Sequence, residues 1–226
     1  MLCYVWWGGS SGTNFNKPRN FHRKLHSYLS CWINFRASGS WPLTASQSAM
    51  RILSWNCRGL GNPPTVLQCQ KKAQVHKPNI IFLMETKLVQ NKGKEILEKC
   101  GFLNGWEFPR EGLSGGLLLG WQQNVNLSIQ YGSKHLIHVD LLDHKGTPLS
   151  VTFIYGQPDH TKREAFWLEL KQLKSIAKPI WLCIGDFNQV LCHEDKFSFN
   201  TRSIAGADSF FNTLNDLELC ELEAKG

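Results

Sequence analysis

The amino-acid sequence predicts a layered α/β sandwich, two β-sheets faced by helices. Three observations carry this. From Met50 onward, short apolar runs rich in β-branched and aromatic residues recur between Gly, Pro and Asn punctuation. These strand-like runs come in pairs, with amphipathic segments set between them. Hydrophobic residues make up 42% of the 226 positions, with 9 Trp and 13 Phe, enough to fill a sizeable core.

The first 49 residues stand apart. They are full of Ser, Gly and Asn and show no sustained period, so residues 1–49 are expected to form a poorly ordered basic leader, and residues 50–226 the domain. Within the domain, residues 51–56 (RILSWN) read as a strand and residues 64–75 as a helix, ended at the Lys77-Pro78 boundary. Residues 80–85 (IIFLME) form a buried strand, and 115–121, 126–131 and 136–142 three more, the last alternating as LIHVDLL. Residues 149–155 (LSVTFIY) add another. The strongest helix is 161–177: Thr161 is the predicted N-cap, Glu164 stands at capping-box spacing, and Phe166, Trp167, Leu170, Leu173 and Ile176 share one face. Ile180 to Ile184 form a fully buried strand between Pro179 and Gly185, and residues 207–219 close the chain as a second amphipathic helix. Trp121, Trp167 and Trp181 are expected in the core, and the Lys71-Lys72 pair on a solvated helix face.

Charge and cysteine usage narrow the function classes. The net charge is +7, but Lys17, Arg19, Arg23, Lys24 and Arg36 all fall in the acid-free first 49 residues, and the remainder holds 20 bases against 18 acids. A pI near 9.0 therefore describes the leader more than the domain and does not by itself point to nucleic acid. The same leader has the composition of an organellar transit peptide, a minor alternative for localisation. Eight Cys without a CxxC pair exclude a zinc ribbon and a thioredoxin-type motif. Cys57 and Cys183, in or beside strand patterns, are expected to be buried and reduced. No apolar run approaches a membrane span, so no membrane partner is expected.

Four strands share one feature: each apolar run stops at a polar residue able to bind a metal or a phosphate. These are Asn56 after RILSW, Glu85 after IIFLM, Tyr155 after LSVTFI, and Asp186 with Asn188 after IWLCIG. In an α/β sheet, strand ends converge on one rim, where ligands bind. Two carboxylates with amide oxygens are a hard, oxygen-only donor set, suited to Mg²⁺ or Mn²⁺ rather than zinc. That combination points to phosphate chemistry, with a carboxylate to orient or deprotonate water.

The motifs Ser54-Trp55-Asn56-Cys57-Arg58-Gly59-Leu60-Gly61, Leu83-Met84-Glu85-Thr86-Lys87, Ser114-Gly115-Gly116, Phe153-Ile154-Tyr155-Gly156 and Gly185-Asp186-Phe187-Asn188 occur in an order that resembles the endonuclease/exonuclease/phosphatase superfamily. Within it, the run from Met50 looks closest to the endonuclease domain of plant LINE-type (non-LTR) retrotransposons. The resemblance implies a four-layered αββα sandwich of the DNase I type and a divalent-metal-dependent phosphodiesterase that nicks DNA, with Mg²⁺ or Mn²⁺ as cofactor and the nucleus as its place of work. By motif, Glu85 would be the main metal ligand, assisted by Asn56. Asp186 would orient or activate the nucleophilic water, and Asn188 and Tyr155 would hold the scissile phosphate.

The family pattern continues with a further Asp and a Ser-Asp-His block, in which His contacts the phosphate. This sequence ends at LEAKG before either, and contains no Ser-Asp-His. His193 and His160 read as surface loop residues. The resemblance therefore implies a domain missing its last strands, with weak or no activity in this form, since losing a transition-state contact costs on the order of 100- to 1,000-fold. Two other readings remain open from the sequence: the same fold acting on RNA, abasic DNA or a phosphoinositide, and a non-catalytic remnant or nucleic-acid-binding module.

Overall fold

The structure, a computed structural model, describes residues 2–7, 30–35, 50–143, 145–189 and 205–221. The expectations for the rest of the first 49 residues, for His193 and for the sequence after residue 221 lie outside the described residues. Two strands fall within the first 49 residues, β1 (Leu2–Trp7) and β2 (Ser30–Phe35). Then come β3 (Met50–Asn56), α1 (Pro63–His76), β4 (Ile80–Met84), α2 (Gly93–Lys99), β5 (Asn104–Phe108) and β6 (Leu117–Trp121). The second half contributes β7 (Leu127–Gly132), β8 (Leu136–Leu142), β9 (Pro148–Tyr155), α3 (Arg163–Gln172), β10 (Ile180–Asp186), α4 (Ala207–Asp216) and the short β11 (Cys220–Glu221).

The strands form two sheets, ordered β2-β3-β4-β6-β5 and β11-β1-β10-β9-β8-β7. Most neighbours are antiparallel, but β3 and β4 run parallel in the first sheet and β9 and β10 run parallel in the second. Each parallel pair needs a crossover, supplied by α1 and α3 respectively.

Four layers follow from where alternate side chains go. One face of each sheet builds the central core, with Ile52, Phe82 and Leu119 meeting Val139, Phe153 and Leu182. The outer face of the first sheet, through Leu53, Trp55, Ile81 and Leu83, packs on Cys69 and Ala73 of α1 and Ile96 and Leu97 of α2. The outer face of the second, through Ile154, Trp181 and Cys183, packs on Phe166, Trp167 and Leu170 of α3 and Phe210 and Leu214 of α4. Strands buried on both faces carry apolar residues at consecutive positions, which is why RILSW and IWLCI read as continuous runs. The predicted αββα sandwich is the observed fold, and Trp167 and Trp181 are fully buried within it.

Several boundaries differ from expectation, each for a physical reason. The helix expected over 161–177 is α3 between two 3₁₀ turns, His160–Lys162 and Leu173–Ser175. Its cap is Asp159, whose carboxylate accepts the Thr161 N–H at 3.0 Å, so Thr161 is not the N-cap. Ile176 lies beyond the helix and is exposed. α1 begins at Pro63 because Asn62 Oδ1 accepts the Thr65 N–H at 2.9 Å, and it ends where Lys77 turns left-handed at φ 47°. Lys72 is not purely solvated: its Nζ stands 5.4 Å over the Trp55 ring.

Helix α2 and strand β5, like β1, β2 and β11, escape sequence reading altogether. Helix α2 has no side-chain cap of its own, since Lys92 precedes it. Its first turn is capped from β5, where Glu107 Oε2 accepts the Gly93 N–H at 2.8 Å and Oε1 accepts the Asn91 N–H. Strand β5 (NGWEF) contains two strand-averse residues, yet Gly105 and Gly120 leave the hollow into which Leu97 of α2 packs. A Cβ at Gly105 would stand 2.2 Å from Leu97 Cδ1, and one at Gly120 2.5 Å from Leu97 Cδ2.

Candidate active site

The two parallel pairs decide where the site lies. In-register pairing of Asn56 with Met84 puts Asn56, the last residue of β3, beside Glu85, the first residue after β4. In the other sheet, Tyr155 pairs with Asp186 at the ends of β9 and β10. Face-to-face packing then brings both rims together. Asn56 Nδ2 donates to Glu85 Oε1 at 2.8 Å and, at 3.5 Å, to Asp186 Oδ2, across 130 positions of sequence and from one sheet to the other.

The remaining two candidates lie at the same rim. The Tyr155 phenol lies close to the Glu85 carboxylate and the Asn188 side chain. Asn188 donates its backbone N–H to Asp186 Oδ1 at 3.0 Å and its side-chain amide to the Gly156 carbonyl at 2.6 Å. Asn56, Glu85, Asp186 and Asn188 are therefore linked by hydrogen bonds, with the Tyr155 phenol beside them. Burial first, then the nearby Glu85 and Asp186 carboxylates, pushes the Tyr155 phenol well above its ordinary range, so it stays protonated and able to donate.

The backbone here is held in conformations the chain rarely adopts. Glu85 and Asn188 have φ of 53° and 52°, and Arg58 and Lys87 beside them have 51° and 54°. Such left-handed residues cost on the order of 1–3 kcal/mol each and cluster where surrounding contacts over-determine them. The contacts are present. Thr86 and Lys87 donate their N–H groups to the carbonyls of Gly116 (3.0 Å) and Gly115 (2.9 Å), and Leu60 N–H reaches the Thr86 carbonyl at 2.8 Å. Gly116 is at φ 91°, and a Cβ there would be 2.5 Å from Thr86 Oγ1, which accounts for the Ser-Gly-Gly motif.

The glycines of the other rim serve the same close approach. Gly156 N–H donates to the Asp186 carbonyl at 2.7 Å, and a Cβ at Gly156 would lie 2.2 Å from the Phe187 carbonyl oxygen. Gly185 has φ 149°, and a Cβ there would meet the Ile154 carbonyl oxygen at 1.9 Å. Both carboxylate-bearing turns thus depend on a missing side chain.

Sequence reasoning missed a supporting cluster. Arg163, at the first turn of α3, donates through Nε to the Gln157 carbonyl (3.0 Å), through Nη2 to the Pro158 carbonyl (3.1 Å) and through Nη1 to Gln189 Oε1. Gln189 Nε2 donates onward to the Ala205 carbonyl at 3.3 Å. One guanidinium thereby ties together the chains leaving β9 and β10, directly after Tyr155-Gly156 and Asn188. His135 Nδ1 lies 3.0 Å from the Tyr155 carbonyl and its Nε2 3.3 Å from Gln157 Nε2. Gln157 and Gln189 each follow a motif directly, a usable signal, whereas Arg163 looks like any solvated helix residue.

The donor set suits a hard cation. Two carboxylates share one amide donor, and the buried Asn56 Oδ1 has no hydrogen-bond partner. An oxygen atom so placed lacks a positive neighbour, which a divalent ion provides. Among the described residues no three His, Cys, Asp or Glu side chains gather at a point; the carboxylates that meet here are Glu85 and Asp186, with the Asn56 amide between them. No helix among the described residues is long and apolar enough to cross a membrane.

Comparison with known proteins agrees with this geometry. A model of the Endonuclease/Exonuclease/phosphatase family matches residues 53–219. Among solved structures, the 3′ phosphatase NExo from Neisseria bound to product DNA hairpin superposes at a TM-score of 0.57 with 18% identity, over 75% of this chain and 71% of that one. The endonuclease domain of TRAS1, a telomere-specific non-LTR retrotransposon, gives 0.52 and 14% identity over 74% and 69%. The AP endonuclease LMAP from Leishmania major gives 0.58 and 15% over 74% and 66%. At these identities the likeness is one of fold. No curated protein sequence matches the chain.

Proposed function

The chain belongs to the endonuclease/exonuclease/phosphatase family, and from that premise we propose that its rim hydrolyses phosphodiester bonds of DNA as a divalent-metal-dependent nicking endonuclease. The observation that carries this reading is the Asn56 amide shared between Glu85 of one sheet and Asp186 of the other. It gathers two carboxylates around one point with a buried, partnerless amide oxygen beside them. The order of five motif blocks supports descent from a plant LINE-type retrotransposon. The fold shared with the TRAS1 domain is compatible with that descent.

In this reading Glu85 and Asn56 hold the cation, Mg²⁺ or Mn²⁺, which when bound offsets charge on the phosphoryl and leaving oxygens. Asp186, fixed through Oδ1 by the Asn188 N–H, presents its other oxygen to an attacking water and takes its proton. Tyr155, kept protonated, donates to a phosphate oxygen. Asn188, its amide plane fixed by the Gly156 carbonyl, presents its second N–H to the same phosphate. These donors are in place before substrate arrives, so little reorganisation is needed at the moment of reaction.

The test is nicking of supercoiled plasmid by the purified full chain with Mg²⁺, with EDTA, and with an Asp186→Asn variant. Nicking that needs the metal and drops at least about 100-fold in the variant is the expected result. Folded wild-type protein that leaves the plasmid supercoiled over long incubation with Mg²⁺ and Mn²⁺ would remove the catalytic reading.

A further inference from the structure

We propose that Cys69 and Cys100 are an oxidisable pair that closes into a disulfide under a hydroperoxide, with Cys100 as the residue the oxidant reaches. Both are free thiols, and their sulfurs are 3.3 Å apart. Cys69 lies on the buried face of α1 and Cys100 caps the C-terminus of α2, so the contact joins two elements that packing already holds side by side. One residue along, Gln70 Nε2 donates to the Lys99 carbonyl at 3.1 Å and fixes the same junction. Closing the pair brings the sulfurs from 3.3 Å to the ~2.05 Å of a disulfide.

The two thiols are unequal in the way sequential oxidation requires. Cys69 is fully buried, whereas Cys100 is half-buried and open to a small reagent. The sulfur–sulfur contact favours the thiolate on Cys100 and lowers its pKa, while the same contact and burial hold Cys69 protonated. Of the other cysteines, Cys57 bonds to the Met84 carbonyl, and Cys183 is buried beside Thr152.

The chemistry balances with the peroxide as two-electron oxidant. Cys100 thiolate attacks one peroxide oxygen, the O–O bond breaks, and the departing hydroxide takes up the Cys100 proton as water, leaving a Cys100 sulfenic acid. Cys69 sulfur then attacks the Cys100 sulfur, the S–O bond breaks, and the Cys69 proton leaves with the hydroxyl as a second water. The closed ring encloses β4 and the Glu85-Thr86-Lys87 turn, so oxidation staples the segment that carries Glu85. This holds whatever the site acts on.

The experiment is peptide mapping by tandem mass spectrometry of the full chain after hydrogen peroxide and alkylation. The expected product is a Cys69–Cys100 cross-link, two hydrogens lighter than the separate peptides and reversed by dithiothreitol, with Tm raised by about 5 °C or more. A Cys100→Ser variant, altered at the half-buried position, should form no cross-link from Cys69 and show no rise in Tm. Cys100 driven to sulfinic acid with Cys69 still alkylatable, or Cys100 linked to a different cysteine, would overturn the proposal.

Discussion

Acidification from pH 7 to pH 5 should destabilise this protein through His138, the wholly buried imidazole on β8. The ring lies wholly buried on β8, with Nδ1 2.7 Å from Thr152 Oγ1 and its edge toward Trp181, whose Nε1 donates to the same hydroxyl at 2.7 Å. Nε2 has no partner. Burial pushes the imidazole down to about 4; the Asp140 carboxylate opposes this and Lys178 adds to it. In the unfolded chain the same group titrates near 6.5, so between these values the unfolded state binds the extra proton. Stability therefore rises with pH, is complete above about pH 7, and is lost as pH falls toward 4. Integrating gives a loss of about 2 kcal/mol at pH 5 and about 3 kcal/mol at pH 4. Urea unfolding of the wild type and of His138→Gln at pH 7 and pH 5 measures it. The variant keeps a polar group for Thr152 but cannot titrate, and shared carboxylate effects cancel in the comparison. The wild type should lose about 2 kcal/mol more than the variant over this range. Parallel losses, within about 0.5 kcal/mol, would refute the reasoning.

Other perturbations test the site and its supports. Gly185→Ala forces a Cβ to within 1.9 Å of the Ile154 carbonyl oxygen at φ 149° and should cost at least about 3 kcal/mol in urea unfolding, or prevent folding; a loss under about 1 kcal/mol would mean the two strand ends are not so close. Tyr155→Phe keeps the ring in the inter-sheet core and removes only the hydroxyl, so stability should change by less than about 1.5 kcal/mol while plasmid nicking falls about 10- to 100-fold. Undiminished nicking would take Tyr155 out of the mechanism. A double-mutant cycle on Arg163→Ala and Gln189→Ala should give a coupling of about 1–2 kcal/mol, because the guanidinium bonds directly to the Gln189 amide. Strict additivity would show that the clamp between the two loops is not formed.

Much of this molecule can be read from its sequence because its strands are short, apolar and sharply punctuated. RILSW, IIFLM, LSVTFI and IWLCI are buried on both faces, so hydrophobicity alone marks them. The residue at which each run stops is the residue that meets the others at the rim, and Asn56, Glu85, Tyr155, Asp186 and Asn188 follow from that rule together with the motif order. Which strands run parallel, and hence which ends share a rim, is decided only by tertiary pairing. The same holds for α2, whose cap arrives from Glu107, and for β5, whose glycines make room for Leu97. Arg163, His135 and the Cys69–Cys100 contact likewise have no local signature, since each depends on a partner brought near by packing. Local chemistry is written in neighbouring residues; convergence of distant ones belongs to the packed sheets, because only a close-packed interior holds them at fixed separation.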